Sequence, residues 1–460
     1  MSEAKSYFFS GIGGSGMMPL AMIVRARGAT VAGSDRMLDQ GRLASKFEFL
    51  RGQGIALFPQ DGSGLTGTDQ IFVATAAIEE HVPDMVKAKA VGLRRMSRAE
   101  LLAELFNAAP LSIAVGGTSG KSTVTGMIGW ILHACDRDPT VMNGAVMKNF
   151  ASPDAPFASA LVGKGDVFVS EVDESDGSIA LYRPKVAVLN NITLDHKGLD
   201  ELRHLFRDFA LKAETVVLNL DDEEARRLGA ALPLEKLRTY SFRDESAGLF
   251  GSKIVEEPFA ISFEANGMPV RLDVPGRHNA ENALAALAAC EAAGLPLAEA
   301  AEALAGFKGL RRRFERVGEA KGVTVIDDFG HNPDKIAATL RTLHAFPGRL
   351  LLFFQPHGYG PLRTMKQELT DTFANEMAPD DMLIMPDPVY YGGTTDKSVG
   401  SDAIIAGVVA RGRPAEHIPD RADCGTRLIA LARPGDRIVI MGARDDTLTL
   451  FAEDILAKLG

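Results

Sequence analysis

Short apolar runs recur along the chain, each ending in glycine or a polar residue and followed by a segment of helical period. YFFS at 7–10 runs into GIGGSG, LSIAV at 111–115 into GGTSGKST, DVFV at 166–169 into SEVDESD, VAVL at 186–189 into NNITLDH, and VTVI at 323–326 into DDFGHNP. RLLLFF, DMLIM and RIVIM repeat the pattern later. Continuous apolar runs too short for helices, alternating with helices, specify parallel sheets covered on both faces. The expected fold class is therefore α/β. In such sheets ligands collect at the carboxyl ends of the strands, where the unusual residues of this chain sit. A length of 460 residues suggests about three domains. Boundaries are placed at FNAAP and before GLRRRFE, giving 1–107, 108–308 and 309–460.

Composition narrows the function classes. A net charge of −10 argues against a broad basic face for nucleic acid. The three cysteines form no CxxC pair, so neither a disulfide framework nor a zinc ribbon is expected. No apolar run approaches the roughly 20 residues of a membrane span, and no signal peptide is read at the N-terminus. A cytoplasmic setting is the expectation.

The first glycine loop, Gly11-Ile12-Gly13-Gly14-Ser15-Gly16, matches GxGxxG between a strand and a helix. Ser34 and Asp35 follow about 20 residues later, where a ribose-binding acid would sit. Backbone N–H groups at a helix start would face a diphosphate. This motif alone suits NAD, UDP or a simple packing turn.

The second loop departs from the common phosphate-loop template. Counting back from Gly120, the position that should be the first glycine is Val115. The chemistry is nevertheless present. Gly116, Gly117 and Gly120 allow close approach of backbone to phosphates, Lys121 can neutralise β/γ oxygens, and Ser122 or Thr123 can reach Mg2+. Two strand ends offer further ligands: Glu171 opens EVDESD, and His196 closes NNITLDH.

These motifs together resemble the Mur ligases, ATP-dependent acid–amino-acid ligases. The resemblance runs through GIGGSGM, GTSGKST, EVDESDGS, NNITLDH, VPGRHNAENALAA, RRRFERVG, DDFGHNP and FQPH. It implies a three-domain architecture: a Rossmann-like UDP-sugar domain, a central P-loop ATPase-like domain, and a C-terminal Rossmann-like domain that brings the amine. The short phosphate loop is normal for this family. The implied reaction joins the carboxylate of UDP-N-acetylmuramate to an amino acid, L-alanine by default, through an acyl phosphate in peptidoglycan precursor synthesis. The implied cofactors are ATP and Mg2+, and the implied assembly is a monomer or homodimer without nucleic acid or membrane partners.

Carried over residue by residue, Gly11, Gly13, Gly14, Ser15, Gly16, Ser34 and Asp35 fall in the UDP-sugar site. Gly117, Thr118, Gly120, Lys121, Ser122, Thr123, Asn279, Asn282, Arg313 and Asp328 fall in the ATP site. Ser122, Glu171 and His196 fall on metal ligands, and Lys121, Glu171, His196 and His331 on catalytic positions. Three departures stand out. Ser119 replaces a usual histidine, and Gly358 and Pro361 stand where alanine-adding members carry arginines that clamp the amino-acid carboxylate. Arg363, Arg94 and Arg95 are the candidate substitutes. The alternatives are a relative adding another amino acid or a peptide, one acting on another acid, a non-catalytic nucleotide-binding regulator, and, from GIGGSG alone, an NAD-dependent oxidoreductase.

Overall fold

The computed structural model describes residues 5–75, 78–193, 198–389, 396–443, 445 and 447–460. It contains three sheets. The first is fully parallel, in the order Ala56–Phe58, Thr30–Ser34, Ser6–Ser10, Gln70–Ala74, Arg94–Ser97. Strand order reverses beside Ser6–Ser10, so a crevice opens at its carboxyl end. GIGGSG occupies that end and leads into the helix Met17–Ala26, whose apolar residues bury against the sheet. Glycine is sterically required on the neighbouring strand. A Cβ on Gly33 would lie 2.6 Å from the Phe9 carbonyl oxygen of the neighbouring strand.

The second sheet has ten strands. Its centre is Leu111–Gly116, flanked in parallel by Val186–Leu189 and Val167–Glu171. All three flanking and central strands are almost wholly buried, which explains their unbroken apolar sequences. Their carboxyl ends bring GTSGK, EVDESD and NNIT to one place. The Ala-rich segment forms the helix Arg277–Ala292, buried over most of its length. Its small side chains let it lie close to its neighbours on all sides.

The third sheet runs Glu315–Ala320, Val323–Asp328, Arg437–Gly442, Leu350–Gln355, Met382–Met385, Ala415–His417. The first of these strands is antiparallel and the others are parallel. That edge strand, ERVGEA, has no continuous apolar run because it is only partly buried.

The first sheet lies within residues 6–97, the second within 111–272 and the third within 315–442, while the compact units divide the chain in two. Residues up to 254, with 262–272 and 278–308, form one unit that holds the first sheet and most of the second. Residues 255–261, 273–277 and 309–460 form the other. Among the described residues no helix is long and apolar enough to cross a membrane.

Candidate functional site

The phosphate-loop geometry follows from its glycines. Gly117 and Gly120 have φ of +127° and +84°, backbone that side chains rarely adopt. A Cβ on Gly120 would also meet Asn282 Oδ1 at 2.4 Å and Asn190 Nδ2 at 2.8 Å. Asn282 therefore packs directly on the loop, and its amide donates to Asn279 Oδ1 at 3.3 Å. The helix Lys121–Ala134 starts at Gly120 with no side-chain cap, leaving its first N–H groups to an anion.

The loop is laced to the segment after Val186–Leu189. Thr118 N donates to Asn191 O, Thr118 Oγ1 donates to Thr193 O at 3.1 Å and accepts from Thr193 N at 3.0 Å. Ser119 N donates to Asn191 Oδ1 at 2.8 Å. Thr118, expected at the nucleotide, thus braces the loop. Ser119 occupies the histidine position without disturbing that lacing.

Ser122 Oγ donates to Glu171 Oε2 at 2.7 Å. Two of the three expected metal ligands are therefore neighbours, while His196 lies outside the described residues. Glu171 comes this close because position 144 is glycine; a Cβ there would lie 2.0 Å from Glu171 Oε1. Buried Asn143 holds the pair from below, its Nδ2 donating to Ser122 O at 3.0 Å. A hydroxyl and a carboxylate side by side suit a hard cation that retains waters. Among the described residues no group of three His, Cys, Asp or Glu side chains forms a closed metal cage. Thr123 follows in the first turn of the helix, partly exposed. Lys121 Nζ contacts Gly117 O at 2.7 Å and Glu174 Oε2 at 2.8 Å.

Beside this loop a cavity of about 350 Å3 is lined by Gly14, Ser15, Gly16, Arg98, Asn143 and Glu171, among others. One cavity thus joins the first glycine loop to the candidate metal ligand. Within that glycine loop, Gly13 N donates to Asp35 Oδ2 at 2.8 Å, and Met37 N to Asp35 Oδ1 at 2.8 Å. Asp35 is buried, and both its oxygens hold backbone, so it shapes the loop. Ser34 Oγ donates to buried Asp84. Gly11 N reaches back to Ser34 O, locking the loop to the next strand. Gly14, Ser15 and Gly16 are the part of the motif that faces the cavity.

Arg98, Asn143 and Glu174 were missed in the sequence. Arg98 lies over Gly16, with its Cδ 3.1 Å from where a Cβ would be. It follows Ser97, which forms a capping box with Glu100, so Arg98 is fixed on the first turn of Arg98–Asn107. The S-x-x-E spacing in SRAE was a legible signal for that placement.

In the second unit the end of Val323–Asp328 is equally ordered. Asp328 accepts from Phe314 N at 2.9 Å, Gly330 N at 3.1 Å and Thr339 Oγ1 at 2.8 Å, so its carboxylate braces the DDFGHNP turn. Arg313 stacks over the Phe329 ring at 4.3 Å. Arg312, its neighbour, is buried against Asp327 at 3.3 Å and donates to Gly442 O at 2.6 Å. His331 Nδ1 lies 2.9 Å from Phe329 O, and its ring meets His357 edge-on at 5.5 Å. A carbonyl partner makes Nδ1 the donor and leaves Nε2 the acceptor. Burial, with Lys335 nearby, lowers the His331 pKa to about 4, so the ring is neutral near pH 7.

That shift has a testable sign. The unfolded histidine binds its proton near pH 6.5 and the folded one only near 4, so stability falls as pH drops through that window. From pH 4 to 6.5, wild type should gain on His331→Asn by up to about 3 kcal/mol, with no further change above 7. Denaturant unfolding at each pH measures this difference; a pH-independent difference would mean that His331 titrates normally. Taking the difference also removes the contribution of Asp327, whose pKa burial raises to about 6.

Arg363 pairs with Asp396 at 2.5 Å on an exposed surface. Arg94 pairs with Glu104 at 3.1 Å in the first sheet's domain, and Arg95 Nη1 contacts Met85 Sδ at 3.6 Å. None of the candidate substitute clamps is an uncommitted guanidinium.

Family models match three successive stretches of the chain. Residues 6–109 match the model of the Mur ligase family catalytic domain, 115–290 the Mur ligase middle domain, and 312–444 the Mur ligase glutamate ligase domain. The chain belongs to the Mur ligase family. This Mur ligase is 33% identical to the UDP-N-acetylmuramate–L-alanine ligase of Agrobacterium fabrum, over 95% of this chain and 94% of that one. It is 35% identical to the enzyme of the same name from Streptomyces coelicolor, over 95% of each. Its fold is shared with the UDP-N-acetylmuramate-alanine ligase of Thermotoga maritima, at a TM-score of 0.78, 23% identity and 98% coverage of both chains. A murein peptide ligase from Psychrobacter arcticus follows at 0.70, with 24% identity and 99% coverage of both.

Proposed function

We propose that this Mur ligase uses ATP to join the carboxylate of UDP-N-acetylmuramate to an amino acid, with L-alanine as the default amine, in peptidoglycan precursor synthesis. The observation that carries this reading is the shared cavity: Gly14–Gly16 and Glu171 line the same space. A diphosphate seated on the first loop places the rest of a sugar nucleotide beside the phosphate loop.

Two anions must meet there, and the site answers with positive charge. Lys121 would meet the transferring phosphoryl, the uncapped start of Lys121–Ala134 would support the other phosphates, and Arg98 stands over Gly16 at the glycine-loop end. Ser122 and Glu171 would hold Mg2+, which neutralises phosphate oxygens when bound. The carboxylate oxygen attacks the γ-phosphorus and ADP leaves. The amine then attacks the acyl carbon, phosphate departs, and the amine's extra proton passes to a base. Neutral His331, with Nε2 able to accept, has the right protonation state for a base.

The first domain should accordingly bind a UDP-sugar. Calorimetry should show UDP-N-acetylmuramate binding and no NADH binding. Tight NADH binding without UDP-sugar binding would favour the oxidoreductase reading. Gly358 and Pro361 supply no side-chain donor for an amine's carboxylate. With Arg363 already paired to Asp396, Arg363→Ala should leave the KM for L-alanine within about twofold, as for other exposed pairs. A tenfold rise would make Arg363 the clamp.

A further inference from the structure

Lys121 is held by more than its loop. An ammonium has three N–H donors and no acceptor. Here they meet Gly117 O at 2.7 Å, Glu174 Oε2 at 2.8 Å and Glu174 Oε1 at 3.1 Å. The pair is largely removed from solvent, with side-chain exposures of 19% for Lys121 and 7% for Glu174. Glu174 is aimed by a fixed turn: Gly177 N donates to Glu174 O, Ile179 N to Asp173 O, and Ser175 N to Asp173 Oδ1. The carboxylate therefore does not simply swing on a loose loop.

We propose that Glu174 is a positioning residue that latches Lys121 and competes with the nucleotide for it. The inference rests on ATP binding at this loop. With Gly117 O keeping one N–H, a phosphate oxygen reaches the ammonium by replacing a Glu174 oxygen. The exchange suits a triphosphate, whose charge is spread over several oxygens and supported by the helix start, better than it suits a single small anion. The latch keeps Lys121 in the loop before the nucleotide arrives, and its cost is subtracted from nucleotide affinity.

Glu174→Gln keeps the shape and one acceptor but removes the competing charge. ATP binding, measured by calorimetry on the full chain without acid or amine, should tighten about three- to tenfold. The gain must act through Lys121, so Glu174→Gln should change ATP affinity by less than about twofold in a Lys121→Gln background. A merely structural role would weaken binding in both backgrounds. Glu174→Asp, which keeps the charge on a shorter stem, provides a second test and should fall between wild type and Glu174→Gln. Unchanged or weaker ATP binding in Glu174→Gln, or an equal gain in both backgrounds, overturns the latch while leaving the ligase reading intact. If Glu174→Gln does not fold, ATP binding by Glu174→Asp no tighter than wild type overturns it. Failure of the unaltered chain to bind ATP at all overturns both.

Discussion

Lys121→Ala should lower phosphate release by roughly a hundred- to a thousandfold, the usual effect of removing a donor aimed at developing charge. The lysine sits four residues beyond Gly117 on a loop whose shape is set by the Thr118–Thr193 and Ser119–Asn191 bonds, so the loop itself should persist. The structure adds a consequence that the sequence did not carry. Truncating Lys121 leaves the buried Glu174 carboxylate without its cation, and stability should fall by about 1–3 kcal/mol. Pairing Lys121→Met with Glu174→Gln removes that penalty while keeping the catalytic loss. Unfolding midpoints and phosphate release, measured on both variants, separate the two effects. Near-wild-type release by folded Lys121→Ala would remove this loop from the reaction.

Glu171→Gln should carry the second large effect. The substitution preserves size where Glu171 presses against Gly144, so the fold should be retained. It removes the negative charge next to the Ser122 hydroxyl, the two oxygens best placed for a hard cation. The Mg2+ concentration needed for half-maximal activity should rise about tenfold to a hundredfold. Saturating Mg2+ should then recover part of the rate. A metal titration that superimposes on wild type would place the cation elsewhere.

Much of the fold was legible because its strands are buried on both faces. LSIAV, VAVL and RIVIM can be read as core strands without knowing their partners, and the glycine loops follow them directly. ERVGEA was not legible, because a partly buried antiparallel edge strand has neither a continuous apolar run nor a helical period. The site was legible in its types of residue and less so in their tasks. Ser122 and Glu171 are hydrogen-bonded, with Lys121 next along the loop. Asp35, Thr118 and Asp328 were expected at ligands, yet each is bonded to backbone by contacts that only the folded chain creates. Glu174 could not be told from its acidic neighbours in EVDESD until the turn aimed it at Lys121. Arg98 shows the same limit, since its place over Gly16 is a tertiary fact separated by some eighty residues of chain.

One assay tests the ligase activity most directly. Purified protein with UDP-N-acetylmuramate, ATP, Mg2+ and L-alanine should release phosphate and form the amide-linked UDP-sugar product in equal amounts, with release dependent on all four. Glycine, L-serine and short peptides in place of L-alanine report how Gly358 and Pro361 shape the choice of amine. Phosphate release that needs the UDP-sugar but proceeds with a different amine would keep the ligase and change its substrate. No product with any amine, from protein that binds ATP and is fully folded, would contradict the central claim.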